Sequence, residues 1–402
     1  MPDSEPARPL AGIRVIDLST LVAGPWCSRL LADCGAEVIK IEPAGEGDVL
    51  RHSSPVPGGI SRTFAHFNCG KKCVALDLKT PEGVEVAREL IARADVLIEN
   101  FRPGVMARLG LGAEKLRAQN PRLVWCSVSG FGQTGAMSQQ AAYAPIVHAL
   151  SGFDSVFLRE QRGADAPPAS AIMIADVIAA VYAFGAIQTA LLRREREGVG
   201  ATIDATLLEA MLSVVAIQIQ EAQAPVPSAP KVFRPTRTRD GFVIVPLVSP
   251  RNYLALYPAI GRAEWCADSA FATRRGIAAN ELEIERALGE WAAQRDTAEV
   301  VDAIVAAGLP CSRYRSPAEV LEDEHLWQRG SFAPQSDTRG DFAVLNPPFR
   351  FAEFDCTALP LVGALGEHTR EVLEDLLAID AERFAALAAS GAFGATREAR
   401  LD

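Results

Sequence analysis

Apolar and polar positions along the chain fall into short buried-strand runs separated by longer amphipathic stretches. Residues 13–18 (Ile-Arg-Val-Ile-Asp-Leu) predict a strand, 24–35 a helix stopped by Gly35, and 37–42 (Glu-Val-Ile-Lys-Ile-Glu) a second strand. Strand, helix and strand in that order make a βαβ unit, and the crossover between its parallel strands is right-handed. The alternation continues through strand 73–78, helix 81–93, strand 95–98, a helix near 112–119 and strand 122–128. After a long apolar helix come strand 201–206 and helix 207–221. The pattern predicts a doubly wound α/β half.

The pattern breaks at Ala222-Gln223-Ala224-Pro225-Val226-Pro227-Ser228-Ala229-Pro230, which has no period and reads as a linker over 222–235. Beyond it, an Asp240-Gly241 turn, a strand at 242–248 and helices near 251–261, 280–293 and 297–307 predict a smaller α/β domain over 236–335. Residues 341–353 regain extended character, and helices near 367–377 and 381–389 end the chain. The expected organisation is a large domain over 1–221, an inserted small domain, and a return to the large one over 336–402.

One position is out of place in this pattern. Asp176 interrupts Ile172-Met173-Ile174-Ala175-Asp176-Val177-Ile178-Ala179-Ala180-Val181, at the head of an apolar helix that runs to Leu192, a basic last turn and Gly198. An unpaired buried ion costs several kcal/mol or takes up a proton, so packing alone does not explain it. The sequence places Asp176 at the N-cap, where its oxygens can accept from the first free backbone N–H groups and the helix dipole favours the anion. It is either a plain cap or an activated carboxylate nucleophile. The stretch 172–192 contains Asp176 and Gln188 and ends in charge, so it reads as a buried helix and not as a membrane span.

Composition narrows the function classes. Of the 402 residues, 49% are apolar and 22% charged, enough for a sizeable core, and the net charge of −10 argues against a nucleic-acid surface. The polar N-terminal segment leads us to expect a cytoplasmic protein. Eight cysteines form no C-x-x-C pair and the five histidines are scattered, so reduced thiols and no metal site are expected. Gly130-Phe131-Gly132-Gln133-Thr134-Gly135 matches G-x-G-x-x-G but is not followed by the small-residue helix that receives a pyrophosphate, which argues against NAD(P). His148, within Ile146-Val147-His148-Ala149-Leu150, reads as a hydrogen-bonded core histidine rather than a base. Lys71, Lys72, Lys79, Arg102 and Arg108 read as surface charge by default. Arg102 and Arg108 nevertheless flank a loop-to-helix junction beside Asn100 and Phe101, and offer charge and a stacking surface to a nucleotide-like diphosphate.

A series of short segments carries a resemblance to a known family. They are Pro9-Leu10-Ala11-Gly12-Ile13-Arg14-Val15-Ile16-Asp17-Leu18, Ala23-Gly24-Pro25, Gly35-Ala36-Glu37-Val38-Ile39-Lys40-Ile41-Glu42-Pro43, Gly47-Asp48 with Arg51, Val74-Ala75-Leu76-Asp77-Leu78-Lys79, Glu99-Asn100-Phe101-Arg102-Pro103-Gly104, Asn120-Pro121-Arg122-Leu123, Ser129-Gly130-Phe131-Gly132 and Gly366-Glu367-His368-Thr369. In this order they resemble the family III CoA-transferases, which include carnitine, bile-acid and formyl-CoA transferases and, as relatives, the α-methylacyl-CoA racemases.

The resemblance implies a Rossmann-like large domain with a small domain, in an interlaced homodimer. It implies an acyl-CoA:carboxylate CoA-transferase with Asp176 as nucleophile, passing through an aspartyl anhydride and an aspartyl-CoA thioester. CoA is then substrate, and no tightly bound cofactor is expected. The implied CoA-contacting positions are Val22, Ala23, Leu76, Lys79, Asn100, Phe101, Arg102, Arg108 and Tyr143. Three departures matter. Val22 stands where formyl-CoA transferases carry glutamine, and 222–245 holds no glycine-rich loop, which argues against formyl or oxalyl substrates. Tyr143-Ala144 replaces the racemases' His-Asp pair, leaving a racemase as the alternative that lacks its base. Asn68-Cys69-Gly70-Lys71-Lys72-Cys73 replaces a more basic family segment. A non-catalytic CoA-binding subunit is a further alternative, against which Asp176 speaks. Val22 and the bulk of Phe131 and Tyr143 point to a less polar acyl pocket.

Overall fold

The computed structural model describes residues 8–53, 56–161, 163–167, 169–224 and 232–394. By internal contacts the chain divides into two compact units, Met1–Pro225 with Trp327–Asp402, and Val226–Leu326. Half of the expected linker, residues 225–231, lies outside the described residues.

The first unit carries β1 (Arg14–Asp17), α1 (Ala23–Asp33), β2 (Glu37–Pro43), α2 (Arg62–Asn68), β3 (Lys71–Leu76), α3 (Pro81–Ile91), β4 (Val96–Glu99), α4 (Val105–Arg108), α5 (Ala113–Gln119) and β5 (Val124–Ser129). It continues with α6 (Ala144–Leu150), α7 (Phe153–Glu160), α8 (Ile174–Glu197), β6 (Thr202–Thr206), α9 (Leu207–Val214) and α10 (Ala216–Gln223). Six strands form one sheet in the order β3-β2-β1-β4-β5-β6, and every neighbouring pair is parallel. This is the Rossmann order. Its direction reverses between β1 and β4, and the carboxyl ends of those two strands flank the crevice where such sheets bind ligands.

Both faces of the sheet are covered, as a parallel sheet requires. On one side Val15, Val38, Val96, Val124 and Cys126 pack with Leu30, Ala179, Ala183, Ile187 and Met211 from α1, α8 and α9. On the other, Ile16, Ile39, Val74, Leu97 and Trp125 pack with Val86 and Leu90 of α3 and with Val372 and Leu373 near the C-terminus.

Strand β3 begins at Lys71, two residues before the expected start. Lys71 and Lys72 pair with Val38 and Ile39 on β2, and Lys71 is fully buried instead of lying on the surface. Its ammonium has internal partners, Asp17 at 3.0 Å, the Asn68 side chain and the Pro25 carbonyl both at 2.9 Å. The expected helix 207–221 breaks at Val215 into α9 and α10. Helix α8 is buried along one face only, through Ala175, Ala179, Ala183, Ile187 and Leu191, while Val181, Tyr182 and Leu192 are exposed. By length and composition alone it could cross a membrane; its small alanines instead admit close approach to α1, β5, β6 and α9.

The second unit holds a three-stranded antiparallel sheet, β7 (Thr236–Arg237), β8 (Phe242–Ile244) and β9 (Ser312–Arg313). Its helices are α11 (Pro250–Ala259), α12 (Ser269–Ala272), α13 (Arg274–Ala279), α14 (Glu281–Ala292), α15 (Thr297–Ala306) and α16 (Pro317–Leu321). After α17 (Glu324–Gln328) the chain makes the antiparallel hairpin β10 (Phe332–Asp337) and β11 (Gly340–Leu345), then α18 (Thr369–Leu377) and α19 (Ala381–Ala389).

Candidate active site

The crevice at the switch point holds a cavity of about 220 Å³. Thr20, Leu21 and Ala23 line it from the carboxyl end of β1, Asn100, Phe101, Arg102 and Pro103 from that of β4, and Ser129 and Gly130 from β5. The 138–143 segment, Leu207 and Asp176 complete the wall.

Each wall is fixed by buried polar chemistry. Asp17 accepts the Ser19 N–H at 2.9 Å, and its other oxygen accepts from Lys71. Lys40 donates to the Ser19 carbonyl at 2.8 Å and pairs with Asp48 at 2.9 Å. Asn100 closes a two-way link to Thr20, accepting its N–H at 2.9 Å and donating to its carbonyl at 2.8 Å. Asp48 accepts the Leu21 N–H at 3.3 Å. These bonds hold Leu21 at φ 65°, a left-handed conformation that costs a branched residue about 1–2 kcal/mol and persists only where the surroundings over-determine it. Burial opposes the charge on Asp17, but Lys71, Lys40 and the Ser19 and Ser28 hydroxyls outweigh it and hold the carboxyl well below the usual range. Burial dominates at Lys71 and brings its ammonium down to about 8.

On β4, the buried Glu99 accepts the Phe101 N–H at 2.9 Å, which locks the 99–101 turn. On β5, an added Cβ at Gly130 would lie 2.1 Å from the Ala142 Cβ, so only glycine lets the 138–143 wall approach this closely. The remaining glycines of the G-x-G-x-x-G match sit in a loop tied down by Gly132 N–H to Ser129 and Gln133 N–H to Asp204, and the next helix starts only at Ala144.

Asp176 is half-buried and lies in the first turn of α8, whose N-cap is Met173. The sequence put Asp176 itself at the N-cap; the helix starts earlier because its first N–H groups find other acceptors. Ile174 N–H donates to the Ile172 carbonyl at 3.1 Å, and Ala175 N–H donates to His148 Nε2 at 3.2 Å. Burial pushes the Asp176 carboxyl up to about 6, opposed by a bond from its own backbone N–H. Among the described residues it has no ion-pair partner. A carboxylate made basic by desolvation and open to a cavity is suited to attack an acyl carbon.

Ala23, Asn100, Phe101, Arg102, Tyr143 and Asp176, all singled out in the sequence, meet in this cavity. Val22 and Leu76 do not line it; both are core residues, at 1% and 0% exposure. Lys79 and Arg108 are exposed and also lie outside the lining. Thr20, Ser129, Ser138 and Gln140 give the cavity a more polar wall than Val22, Phe131 and Tyr143 suggested, because Val22 turns into the core. Thr20, Leu21, Gln140 and Leu207 were not foreseen; their only signal is position after a strand end or in the loop opposite it.

A parallel Rossmann-like sheet with a desolvated carboxylate in a cavity at its switch point defines an α/β fold of the enzyme type. The model of CoA-transferase family III matches residues 10–369, and the chain belongs to that family. It is 30% identical to the mouse protein named succinyl-CoA:glutarate CoA-transferase, over 97% of this chain and 91% of that one. It is 32% identical to the succinyl-CoA–D-citramalate CoA-transferase of Chloroflexus aurantiacus, over 97% and 99%. Among solved structures it resembles a CAIB/BAIF family protein from Brucella suis, with TM-score 0.81, 31% identity, and coverage of 92% of this chain and 100% of that one. Rv3272 from Mycobacterium tuberculosis matches with TM-score 0.81 at 28% identity, over 91% and 99%.

Proposed function

We propose that this enzyme moves CoA from an acyl-CoA to a free carboxylic acid through covalent intermediates on Asp176. The observation that carries this reading is the half-buried, unpaired Asp176 carboxylate opening into the switch-point cavity. A carboxylate oxygen attacks the donor thioester carbonyl and expels CoA thiolate, giving a mixed anhydride. The thiolate attacks the aspartyl carbonyl, releasing the donor acid and leaving an aspartyl-CoA thioester. The acceptor carboxylate attacks that thioester, expels the thiolate and forms the second anhydride. Attack of the thiolate on the acceptor's acyl carbon yields the new acyl-CoA and restores Asp176. Each step exchanges one activated acyl bond for another, so the thioester's free energy is conserved.

Arg102, with Phe101 beside it, is the group in the cavity wall suited to a CoA phosphate and adenine, through charge-assisted hydrogen bonding and stacking. Val22, Ala23, Leu76, Lys79, Asn100, Arg108 and Tyr143 complete the proposed CoA contacts; Val22 and Leu76 have only their backbone to offer. The relatives' names pair succinyl-CoA with glutarate and citramalate, so small dicarboxylic acids are the first acceptors to test. We further propose a homodimer of interlaced chains, supported by exposed apolar residues on α8 to α10, among them Val181, Tyr182, Leu192 and Ile217.

The test is to incubate the protein with succinyl-CoA or acetyl-CoA and a panel of carboxylates, follow CoA exchange, and quench with hydroxylamine. The expected result is exchange together with a modified peptide spanning Asp176. An adduct mapped to another carboxylate, or full transfer by Asp176→Ala, overturns the assignment. Light scattering should give about twice the chain mass of 43.0 kDa, and a stable active monomer would sink the interlaced dimer.

A further inference from the structure

The start of α8 is capped in an unusual way. Met173 supplies no side-chain cap, and the acceptor for the buried Ala175 N–H comes from a different helix, 27 residues upstream. That acceptor is Nε2 of His148 on α6, at 3.2 Å. The His148 side chain is buried at 3% exposure, its ring lies 5.7 Å from that of Phe153, and its carbonyl accepts from Ser151 Oγ at 2.9 Å. An Nε2 that accepts belongs to a neutral imidazole whose proton sits on Nδ1. The same helix starts directly after Tyr143, which lines the cavity. One rigid element therefore carries a wall of the cavity and holds the backbone N–H of the residue before Asp176.

We infer that His148 is a positioning residue for CoA transfer, fixing the first turn of α8 against α6 and keeping the Ala175 N–H from binding the Asp176 carboxylate. This rests on the reading of Asp176 as the nucleophile. Two consequences follow. The carboxylate keeps its place relative to Tyr143, and a 1 Å displacement of a reacting group can cost about 100-fold in rate. Among the described residues it also retains one local donor, its own backbone N–H. A second N–H delivered to the anion would stabilise it and weaken it as a nucleophile.

The experiment compares wild type with His148→Leu, which removes the acceptor, His148→Gln, whose Oε1 can reach where Nε2 lies, and His148→Asn, whose shorter amide cannot. With the faster of succinyl-CoA and acetyl-CoA as donor, one measures the rate of the hydroxylamine-trapped adduct on Asp176, the KM for the donor, the pH–rate profile and the melting temperature. Arg102 and Tyr143, the other titratable groups lining the cavity, are common to all four proteins. Expected are losses of about 10- to 100-fold in adduct rate for Leu and Asn, with KM changed less than about twofold. The acid limb should move to lower pH as the freed Ala175 N–H turns to the carboxylate, and Gln should recover most of the rate.

A Leu variant that melts lower but keeps the wild-type rate and acid limb overturns the inference, because only a structural role remains. If Leu does not fold, equal rates for Gln and Asn overturn it as well. An adduct on Asp176 in wild type with unchanged rates in the His148 variants defeats this inference alone. No Asp176 adduct in wild type defeats both it and the nucleophile reading.

Discussion

Replacing Asp176 by Asn should abolish transfer and at the same time stabilise the protein. Asn keeps the size of the side chain and an oxygen for its own backbone N–H, and removes the charge. The folded protein holds this carboxyl at about 6, against an ordinary 3.8, with burial as the cause and the local N–H opposing it. Since the folded value is the higher one, the native state binds the proton more tightly than the unfolded chain. The carboxyl's favourable contribution is complete below about pH 4 and is lost as pH rises through about 6. About two pH units at about 1.4 kcal/mol each make the ionised form cost about 3 kcal/mol above pH 7.

Urea unfolding followed by circular dichroism at pH 8 and pH 4.5 measures this directly. The Asn variant should be more stable by about 3 kcal/mol at pH 8, and by only about 1 kcal/mol at pH 4.5, where most of the wild-type cost has been relieved by protonation. With an unfolding entropy of about 2 cal/mol/K per residue, the pH 8 difference raises the melting temperature by about 4 °C. CoA exchange in the same samples should fall to background. A variant no more stable than wild type at pH 8 would show that the folded site solvates the anion well, which would refute the argument from desolvation.

Lys71→Met should cost about 3–5 kcal/mol in urea unfolding, because Asp17 is left buried without its partner, and adding Asp17→Asn should recover part of the loss; a cost below 1 kcal/mol would show the two charges to be uncoupled. Gly130→Ala should push the 138–143 segment outward, destabilise by about 1–3 kcal/mol and lower kcat, read by thermal melts and steady-state kinetics. Arg102→Ala should raise the KM for acyl-CoA about tenfold, consistent with loss of one charge-assisted phosphate contact, while leaving that for the free acid nearly unchanged; equal effects on both would exclude a phosphate role.

The parallel sheet was legible because strands buried on both faces read as near-continuous apolar runs, and β1, β2 and β4 fall within one residue of their expected limits. The start of β3 was not, because a lysine at a strand head reads as surface. Lys71 is buried because Asp17, 54 positions away, meets it together with Asn68 and the Pro25 carbonyl. Asp176 was legible as an anomaly, a carboxylate in an apolar run, and the structure opens it to the cavity. Its place in the helix was misread by a few residues because the cap comes from His148 on another helix, and no local pattern encodes that pairing. The left-handed Leu21 left no trace either. Glycine would have announced it, and leucine holds it only through bonds from Asp48 and its neighbours.

The distribution of charge around the site fits the proposal that Asp176 is a reactive carboxylate. Lys40, Lys71 and Arg51 all lie beneath the loops after β1 and β2, and each is taken up by its own carboxylate: Asp48 at 2.9 Å, Asp17 at 3.0 Å and Glu42 at 2.7 Å. Two of these pairs hold the backbone of Ser19 to Leu21 in place: Asp17 and Lys40 bind Ser19, and Asp48 binds Leu21. Had one of the cations reached Asp176 instead, the pair would have pulled its carboxyl below the ordinary range, and the anion would be a poor nucleophile toward a thioester. The architecture separates the two tasks. Paired charges beneath the sheet's carboxyl edge fix the cavity wall, and Asp176, the one carboxylate among the described residues that lines the cavity, is supported by little more than its own backbone N–H. Desolvation outweighs that donor, and the instability expected of wild type at pH 8 and the proposed attack on an acyl carbon have the same physical origin.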